Sequence, residues 1–199
     1  NSGASTIQAF LLKRTISIGV NFQASYCYNN DVFQTTQREN PMDLILWRHA
    51  QAEYHDGDDL TRLLTAKGHR QAQLMANWLQ THLPKRYTVW ASEAARSQQT
   101  AAYLSKDYLI SSALNPEIDA ATLPALLADT PHHDTLVLVG HQPWIGEMCA
   151  FMLNGHWHNP AWSVKKGGFW WFQVKENDND PRTKLKAALT PAMLKPIDD

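Results

Sequence analysis

The chain has 199 residues, of which 44% are hydrophobic and 19% charged, and its formal net charge is −1. This near-neutral balance gives no electrostatic reason to expect nucleic acid or an anionic membrane surface as a partner. No apolar stretch approaches the roughly 20 residues needed to span a bilayer. The two cysteines, Cys27 and Cys149, form no spaced framework, which favours a reducing, cytoplasmic compartment.

Residues 1–41 differ in composition from the rest of the chain. They mix short apolar pieces with a polar stretch rich in Asn and Gln, and Lys13 and Arg14 interrupt the one segment that resembles a signal peptide. Met42 directly precedes the first good strand. We expect the folded domain to span 42–199 and the preceding residues to be an N-terminal extension that is poorly ordered or non-native. The alternative is an accessory helix or strand that docks on the domain.

From Met42 onward, strand-like and helix-like periods alternate. The apolar run 43–47 is typical of a buried strand, and the polar segment 50–64 predicts a loop. Thr65 is suited to be the N-cap of a helix that Pro84 ends. The apolar face of this helix comprises Ala72, Met75, Ala76, Leu79 and Leu83.

The second half of the chain continues the alternation. Residues 87–91 predict a strand, Ser92 predicts the cap of a helix that reaches about Ser105, and 108–120 predict a loop with a short extended piece. The alternation predicts an α/β fold, a three-layer α/β/α sandwich around a mostly parallel sheet. The remaining predicted elements are helices at 123–128 and 144–153 and strands at 135–139, 169–174 and 184–189.

Three of the predicted strands are followed by residues suited to binding phosphate. One ends in Arg48-His49, another ends in Gly140-His141, and Arg96 lies about one turn into the helix after a third. Because the carboxyl ends of parallel strands meet at one edge of a sheet, we expect two arginines and two histidines to converge. Arginine suits bidentate capture of phosphate oxygens, helix N-termini add partial positive charge, and an imidazole can attack phosphorus. The sequence therefore predicts a site for a dianionic phosphoryl group.

An ordered set of motifs extends this pattern along the chain. They are LWRHAQA at 46–52, DLTRLLTAKG at 59–68, MANWL at 75–79, SEAAR at 92–96, GHQPWIG at 140–146, KGG at 166–168 and LTPAMLK at 189–195. The set resembles the histidine phosphatase superfamily (branch 1), and within it most closely the small bacterial phosphohistidine phosphatases of the SixA type. The resemblance covers 42–199 and implies a phosphoglycerate mutase-like fold.

The resemblance implies a role for each pocket residue. His49 would be the nucleophile that takes the phosphoryl group as a covalent phosphohistidine. Arg48, Arg96 and His141 would bind and orient that group and stabilise charge in the transition state. Water would then hydrolyse the phosphoenzyme. No metal or other cofactor is implied, because the arginines supply the positive charge.

Other positions are weaker candidates or depart from the family pattern. Arg62 matches an arginine of the compact branch that lies near the pocket, and Gln142 is a candidate substrate-binding residue. Glu117 is a possible general acid, although the compact branch is described as lacking one; for Arg62 and Glu117 a solvated charge or local salt bridge is the ordinary alternative. Ala50 replaces the usual glycine after Arg-His, and Glu93 replaces a common proline.

The function that the resemblance implies is removal of phosphate from phosphohistidine on a signalling protein such as a histidine phosphotransfer domain. Little sequence lies between the strand ends to build a lid, which favours a shallow pocket open to a protein surface. The expected contact loops are 50–64 and 154–166, with Trp157 and Trp162, and we expect a monomer. One alternative is a phosphomonoesterase acting on a small molecule or on phosphoserine or phosphothreonine. Another is a non-catalytic phosphohistidine-binding module.

Overall fold

The computed structural model describes residues 41–54, 56–128, 135–157, 162–175 and 182–194. The predicted extension at 1–41 therefore lies almost entirely outside the described residues. Within the described parts of the chain, no helix is long and apolar enough to cross a membrane.

The strands and helices follow the predicted alternation. The strands are β1 (Met42–Arg48), β2 (Thr88–Ala91), β3 (Tyr108–Ile110), β4 (Thr135–Gly140), β5 (Phe169–Lys175) and β6 (Arg182–Leu189). The helices are α1 (Ala66–His82), α2 (Ala95–Ala101), α3 (Leu123–Ala128) and α4 (Trp144–Asn154).

The strands form one six-stranded sheet in the order β3-β2-β4-β1-β5-β6. The first four run parallel, and β5 and β6 join antiparallel on one side. In the register, Arg48 lies opposite Gly140, and Ala91 lies opposite Val139. The carboxyl ends of β1, β4 and β2 therefore lie side by side at one edge of the sheet.

Two apolar clusters cover the two faces of the sheet. On one face, Leu46 and Leu138 pack with α4 residues such as Phe151. On the other, Trp47 and Val137 pack with residues of α1 and α2. Strands buried on both faces read as continuous apolar runs, which is the pattern of β1 and β4. The predicted three-layer α/β/α architecture is confirmed.

The start of α1 is fixed by two local contacts. Thr65 is the N-cap, as predicted: its Oγ1 accepts a hydrogen bond from the Gly68 amide at 2.9 Å. Gly68 packs so closely on the loop after β1 that an added Cβ would lie 1.9 Å from the carbonyl oxygen of Gln51. The same oxygen accepts the Thr65 amide, so this contact joins the loop to the helix.

Substitution of Gly68 by alanine is expected to destabilise the domain. Glycine to alanine inside a helix ordinarily stabilises by about 1 kcal/mol. Here the clash with a backbone oxygen should reverse the sign and lower the free energy of unfolding by about 2 kcal/mol, since overpacking typically costs 1–3 kcal/mol. Urea denaturation followed by circular dichroism measures the difference, and a stabilised G68A variant would contradict the packing argument.

The segment after β2 departs from the prediction. Ser92 does not cap the helix, which begins at Ala95 after Ala94 and ends at Ala101 instead of near Ser105. The Ser92 hydroxyl accepts the Ala94 amide at 3.3 Å and also lies 2.7 Å from Nε2 of His141. The observed N-cap, Ala94, lies two residues after the predicted cap, Ser92. The Ser92 side chain contacts His141 at the end of the adjacent strand.

Candidate active site

His49 lies just beyond β1 and is 5% exposed. Its backbone amide donates to the Gly140 carbonyl on β4, and its carbonyl accepts from the Gly167 amide. Its Nδ1 is 2.7 Å from the carbonyl oxygen of Ala50. Because a carbonyl can only accept, Nδ1 carries the ring proton and Nε2 presents a lone pair to the pocket. This is the tautomer that a nucleophilic imidazole requires.

Arg48 is the last residue of β1, and the segment before β5 holds it in place. Its Nη1 donates to the Val164 carbonyl at 2.7 Å, and its backbone amide donates to Gly168. Its Nε is buried and has no hydrogen-bond partner among the described residues. One end of the guanidinium is therefore anchored to backbone, while the buried Nε is a donor without a protein acceptor among the described residues.

Arg96 is the centre of the pocket and is 3% exposed. Its Nε donates to Nε2 of His49 at 3.3 Å, and its Nη2 lies 3.3 Å from Nδ1 of His141. Its Nη2 also donates to Oδ2 of Asp59 at 2.6 Å, and its Nη1 donates to the Asp59 carbonyl. One guanidinium thus contacts both histidines and a carboxylate.

His141 follows β4 and stands beside the nucleophile, with the ring centroids of His49 and His141 separated by 4.9 Å. Since the Arg96 guanidinium can only donate, Nδ1 of His141 accepts and Nε2 carries the proton. Nε2 lies 2.7 Å from Oγ of Ser92 and 3.2 Å from Oγ of Ser97. The two serine hydroxyls fix the ring orientation.

Burial and neighbouring positive charge keep both imidazoles neutral. Burial lowers the pKa of His49 well below its ordinary value, any positive charge on His141 would lower it further, and the hydrogen bond to Ala50 opposes the shift. The fixed charges of Arg96 and Arg48 act in the same direction as burial. Burial, followed by the charge of Arg96, lowers the pKa of His141 to about 3, with Asp59 opposing. His49 is therefore an unprotonated nucleophile well below neutral pH.

These neutral histidines predict acid sensitivity of the fold. A histidine whose pKa is lowered in the folded state binds its proton preferentially when unfolded, so stability is lost as the pH falls below the unfolded value of about 6.5. For His141 the window extends down to about pH 3. The slope for one such group is about 1.4 kcal/mol per pH unit. Urea denaturation at pH 7 and pH 5 should show a smaller acid loss in H141N than in the wild type; equal losses would contradict the assignment.

The arrangement can bind a phosphoryl dianion and attack it. Nε2 of His49 accepts from Arg96, which also contacts Nδ1 of the neighbouring His141 ring. Together with Arg48, these residues lie at the edge where β1, β2 and β4 end. No group of three or more His, Cys, Asp or Glu side chains in the described ranges could hold a metal ion.

Comparison with known proteins agrees with this geometry. Residues 44–123 match the model of the histidine phosphatase superfamily (branch 1). This match includes three of the four pocket residues. Over this segment the chain resembles the histidine phosphatase superfamily. No curated protein sequence matches it.

Solved structures of phosphatases share the fold. A candidate phosphohistidine phosphatase SixA from Nakamurella multipartitia is 25% identical, with 76% of this chain and 97% of that chain covered and a TM-score of 0.63. The protein histidine phosphatase SixA complexed with tungstate is 22% identical, with 77% and 100% covered and a TM-score of 0.62. A phosphoserine phosphatase from Entamoeba histolytica is 16% identical, with 77% and 100% covered and a TM-score of 0.59. Family and fold together support a phosphatase hydrolase.

The weaker site candidates lie outside the four-residue cluster. The Nη1 of Arg62 donates to Oδ1 of Asp59 at 3.0 Å, and its side chain is 22% exposed. The Nε2 of Gln142 donates to the Trp162 carbonyl at 2.9 Å, in the segment that holds Arg48. Glu117 is exposed between two short 3-10 turns. Arg62 is joined to the pocket through one carboxylate, and Gln142 contacts its supporting backbone.

The pocket also uses residues that the sequence analysis did not predict as site residues. Asp59 bridges Arg96 and Arg62, Ser92 and Ser97 hold His141, and Thr100 accepts the amide of Ala50. Asp59 lies three residues before Arg62 in the DLTR motif, which was a usable signal. The serines and Thr100 lie on or beside α2 with no signal beyond their position near Arg96.

Trp157 and Trp162 were both predicted to lie on loops that contact the substrate, but Trp157 packs against the core instead. Trp157 stacks on Phe151 with ring centroids 4.2 Å apart and packs against the core. Trp162 remains 39% exposed and is joined to Gln142. On the opposite loop, Tyr54 and Leu63 are also exposed large side chains, 84% and 52% respectively.

Proposed function

We propose that this histidine phosphatase removes phosphate from phosphohistidine on a signalling protein, such as a histidine phosphotransfer domain. The observation that carries the reaction is the Nε2 lone pair of His49 set among Arg48, Arg96 and His141. The nucleophile attacks phosphorus, the phosphorus–nitrogen bond of the substrate breaks, and a phosphoenzyme forms on Nε2. Water then releases phosphate and restores the imidazole.

The choice of substrate rests on the leaving group. An alcohol leaves poorly unless an acid protonates it, and such an acid must stay protonated near neutral pH. Burial would raise the pKa of Asp59, but Arg96 and then Arg62 lower it below its ordinary value, so this carboxylate is ionised. Glu117 is exposed. A phosphohistidine ring that carries a proton on its second nitrogen leaves as neutral imidazole when the phosphorus–nitrogen bond breaks. Because an imidazole has a pKa of about 6.5, this protonated form is accessible near neutral pH without an acid in the pocket.

Binding can redirect the pocket hydrogen bonds toward the substrate. Nδ1 of His141 accepts from Arg96 in the structure, and a phosphoryl oxygen placed there would instead accept a hydrogen bond from a protonated ring. The dianion raises the pKa of the imidazole by opposite charge. The donors of Arg48 and Arg96 complete the coordination, and the charge they supply is preorganised for the transition state.

The rim of the pocket supports a protein substrate. The exposed side chains of Tyr54 and Leu63 lie on two loop segments that the hydrogen bond from the Glu53 amide to the Leu63 carbonyl holds together. Leu63 directly follows Arg62. Trp162 lies on the opposite segment near Arg48. Exposed aromatic and aliphatic side chains flanking a polar pocket are typical of a protein-binding surface.

The test compares three substrates in the same enzyme preparation. The kcat/KM for a phosphohistidine protein is expected to exceed that for a phosphoserine peptide and for a small alkyl phosphate by at least about 100-fold, the lower range of acid–base contributions. The E117Q variant should keep the phosphohistidine rate. Comparable turnover of the alkyl phosphate, lost in E117Q, would establish a phosphomonoesterase instead. Binding of the phosphoprotein without release of phosphate would establish a binding module.

A further inference from the structure

Asp59 is the one described carboxylate that is hydrogen-bonded to a pocket side chain. Its Oδ2 accepts from Nη2 of Arg96 at 2.6 Å, and its Oδ1 accepts from Nη1 of Arg62 at 3.0 Å. The 3-10 turn 59–61 holds the backbone, because Asp58 caps it through the Leu60 amide. The carboxylate is thus fixed beside Arg96, which in turn donates to Nε2 of His49.

The position of Asp59 combines order with access to water. Its side chain is 50% exposed, whereas the side chain of Arg96 is 4% exposed. Solvent that reaches the pocket from this side meets the carboxylate before it meets the buried histidines. Its ionised state follows from the two arginines, whose charge and hydrogen bonds outweigh burial in setting the pKa.

Hydrolysis of a phosphoenzyme is accelerated by a group that takes a proton from water, and the other pocket residues are poor candidates for this role. Arg48 and Arg96 carry fixed positive charge and accept no proton. Nε2 of His49 would be bonded to phosphorus at this stage. Nε2 of His141 carries a proton that faces Ser92, and its Nδ1 faces Arg96.

We propose that Asp59 is the general base of the second half-reaction, an inference that rests on the proposed function. The water oxygen forms a bond to phosphorus, and one water proton passes to the Asp59 carboxylate. The bond between phosphorus and Nε2 of His49 breaks, and its electron pair returns to Nε2. The products are hydrogen phosphate, neutral His49 with its proton on Nδ1, and a protonated Asp59 that loses its proton to solvent.

Asp59 would donate no proton in the first half-reaction, the formation of the phosphoenzyme. Asp59 is ionised when substrate arrives, and an imidazole already protonated on its second ring nitrogen leaves as a neutral molecule without a pocket acid. A loss of Asp59 should therefore slow hydrolysis of the phosphoenzyme far more than its formation. A residue that only positions Arg96 would affect both steps, because Arg96 contacts the phosphoryl group in each.

The experiment is rapid-quench trapping in a single turnover with a ³²P-labelled phosphohistidine protein. The variants are wild type, D59N and D56N. Asparagine keeps an oxygen that accepts from Arg96 but cannot act as a base. D56N removes the same charge from an exposed position in the same loop. We expect D59N to become labelled at about the wild-type rate and to lose its label about 100-fold more slowly, while D56N behaves like wild type.

A second variant separates base catalysis from folding. In D59A, formate in the buffer is expected to accelerate loss of the label in proportion to its concentration, and it should leave the wild-type rate unchanged. Loss of label in D59N within threefold of wild type overturns the inference, as does an equal slowing of both steps without formate rescue. A wild-type enzyme that is never labelled overturns the proposed function and this inference together. A labelled wild type with normal hydrolysis in D59N overturns this inference alone.

Discussion

Replacing His49 with alanine is expected to abolish the phosphoenzyme and to reduce kcat by at least about 10⁴-fold. Loss of a nucleophile removes the whole covalent route, and comparable knockouts in other covalent enzymes cost more than this. No other described pocket group can replace it, because Nδ1 of His141 accepts from Arg96 and has a pKa near 3. Trapping of acid-labile label together with phosphate release measures the effect.

The matched control is H82A. His82 is exposed on α1 and stacks on Trp78. Its hydrogen-bonding partners, Trp78 and Thr81, are not pocket residues, so its loss should leave kcat unchanged. Near-ultraviolet circular dichroism verifies that H49A folds. Label retained in H49A would show that a different side chain is the nucleophile, and the tautomer argument for His49 would then be wrong.

Arg96 to lysine is expected to give the second largest effect. The guanidinium uses separate N–H groups for His49, His141 and Asp59, and an ammonium group at the end of a flexible chain cannot reproduce this fork. Removal of one preorganised donor typically costs 10²–10³-fold. We expect kcat/KM for the phosphohistidine protein to fall by about 10³-fold in R96K.

Arg62 provides the comparison within the same network. It contacts the other oxygen of Asp59 and is more exposed than Arg96, and exposed ion pairs contribute little. We expect R62K to lower kcat/KM by about 10-fold or less. Inhibition by inorganic phosphate should weaken strongly in R96K and slightly in R62K. The reverse order would show that Arg62 is a principal phosphate ligand and that the ranking by burial is wrong.

The sheet-edge cluster was predictable because its signals are local. Arg48, His49 and His141 each adjoin an apolar run, and in a parallel sheet the ends of such runs share an edge. Arg96 follows from the helix that starts after β2. The fold class followed from the same alternation of strand and helix, which agrees with the observed sheet order.

Other parts of the site depend on chain segments meeting at a distance. The carbonyl of Val164 holds Arg48, and a backbone acceptor has no residue type that marks it in a sequence. Asp59 reaches Arg96 because the loop 50–64 folds back, with the bridge between Ala52 and Leu64 closing it. Ser92 was predicted to cap a helix, since its residue type suits a cap as well as it suits His141. In each case several placements satisfy the local pattern, and tertiary packing selects one.

The pairing of β1 has a consequence for biosynthesis. Its two neighbours are β4, which begins at Thr135, and β5, which begins at Phe169. A ribosome therefore releases this largely apolar strand, with the nucleophile at its end, long before either partner exists. Until then both edges of β1 are open to association with other chains, and non-local pairing of this kind is slow. Phosphatase activity in a nascent chain should appear only after β5 has emerged, and chaperones that bind extended apolar segments should favour β1 before that point.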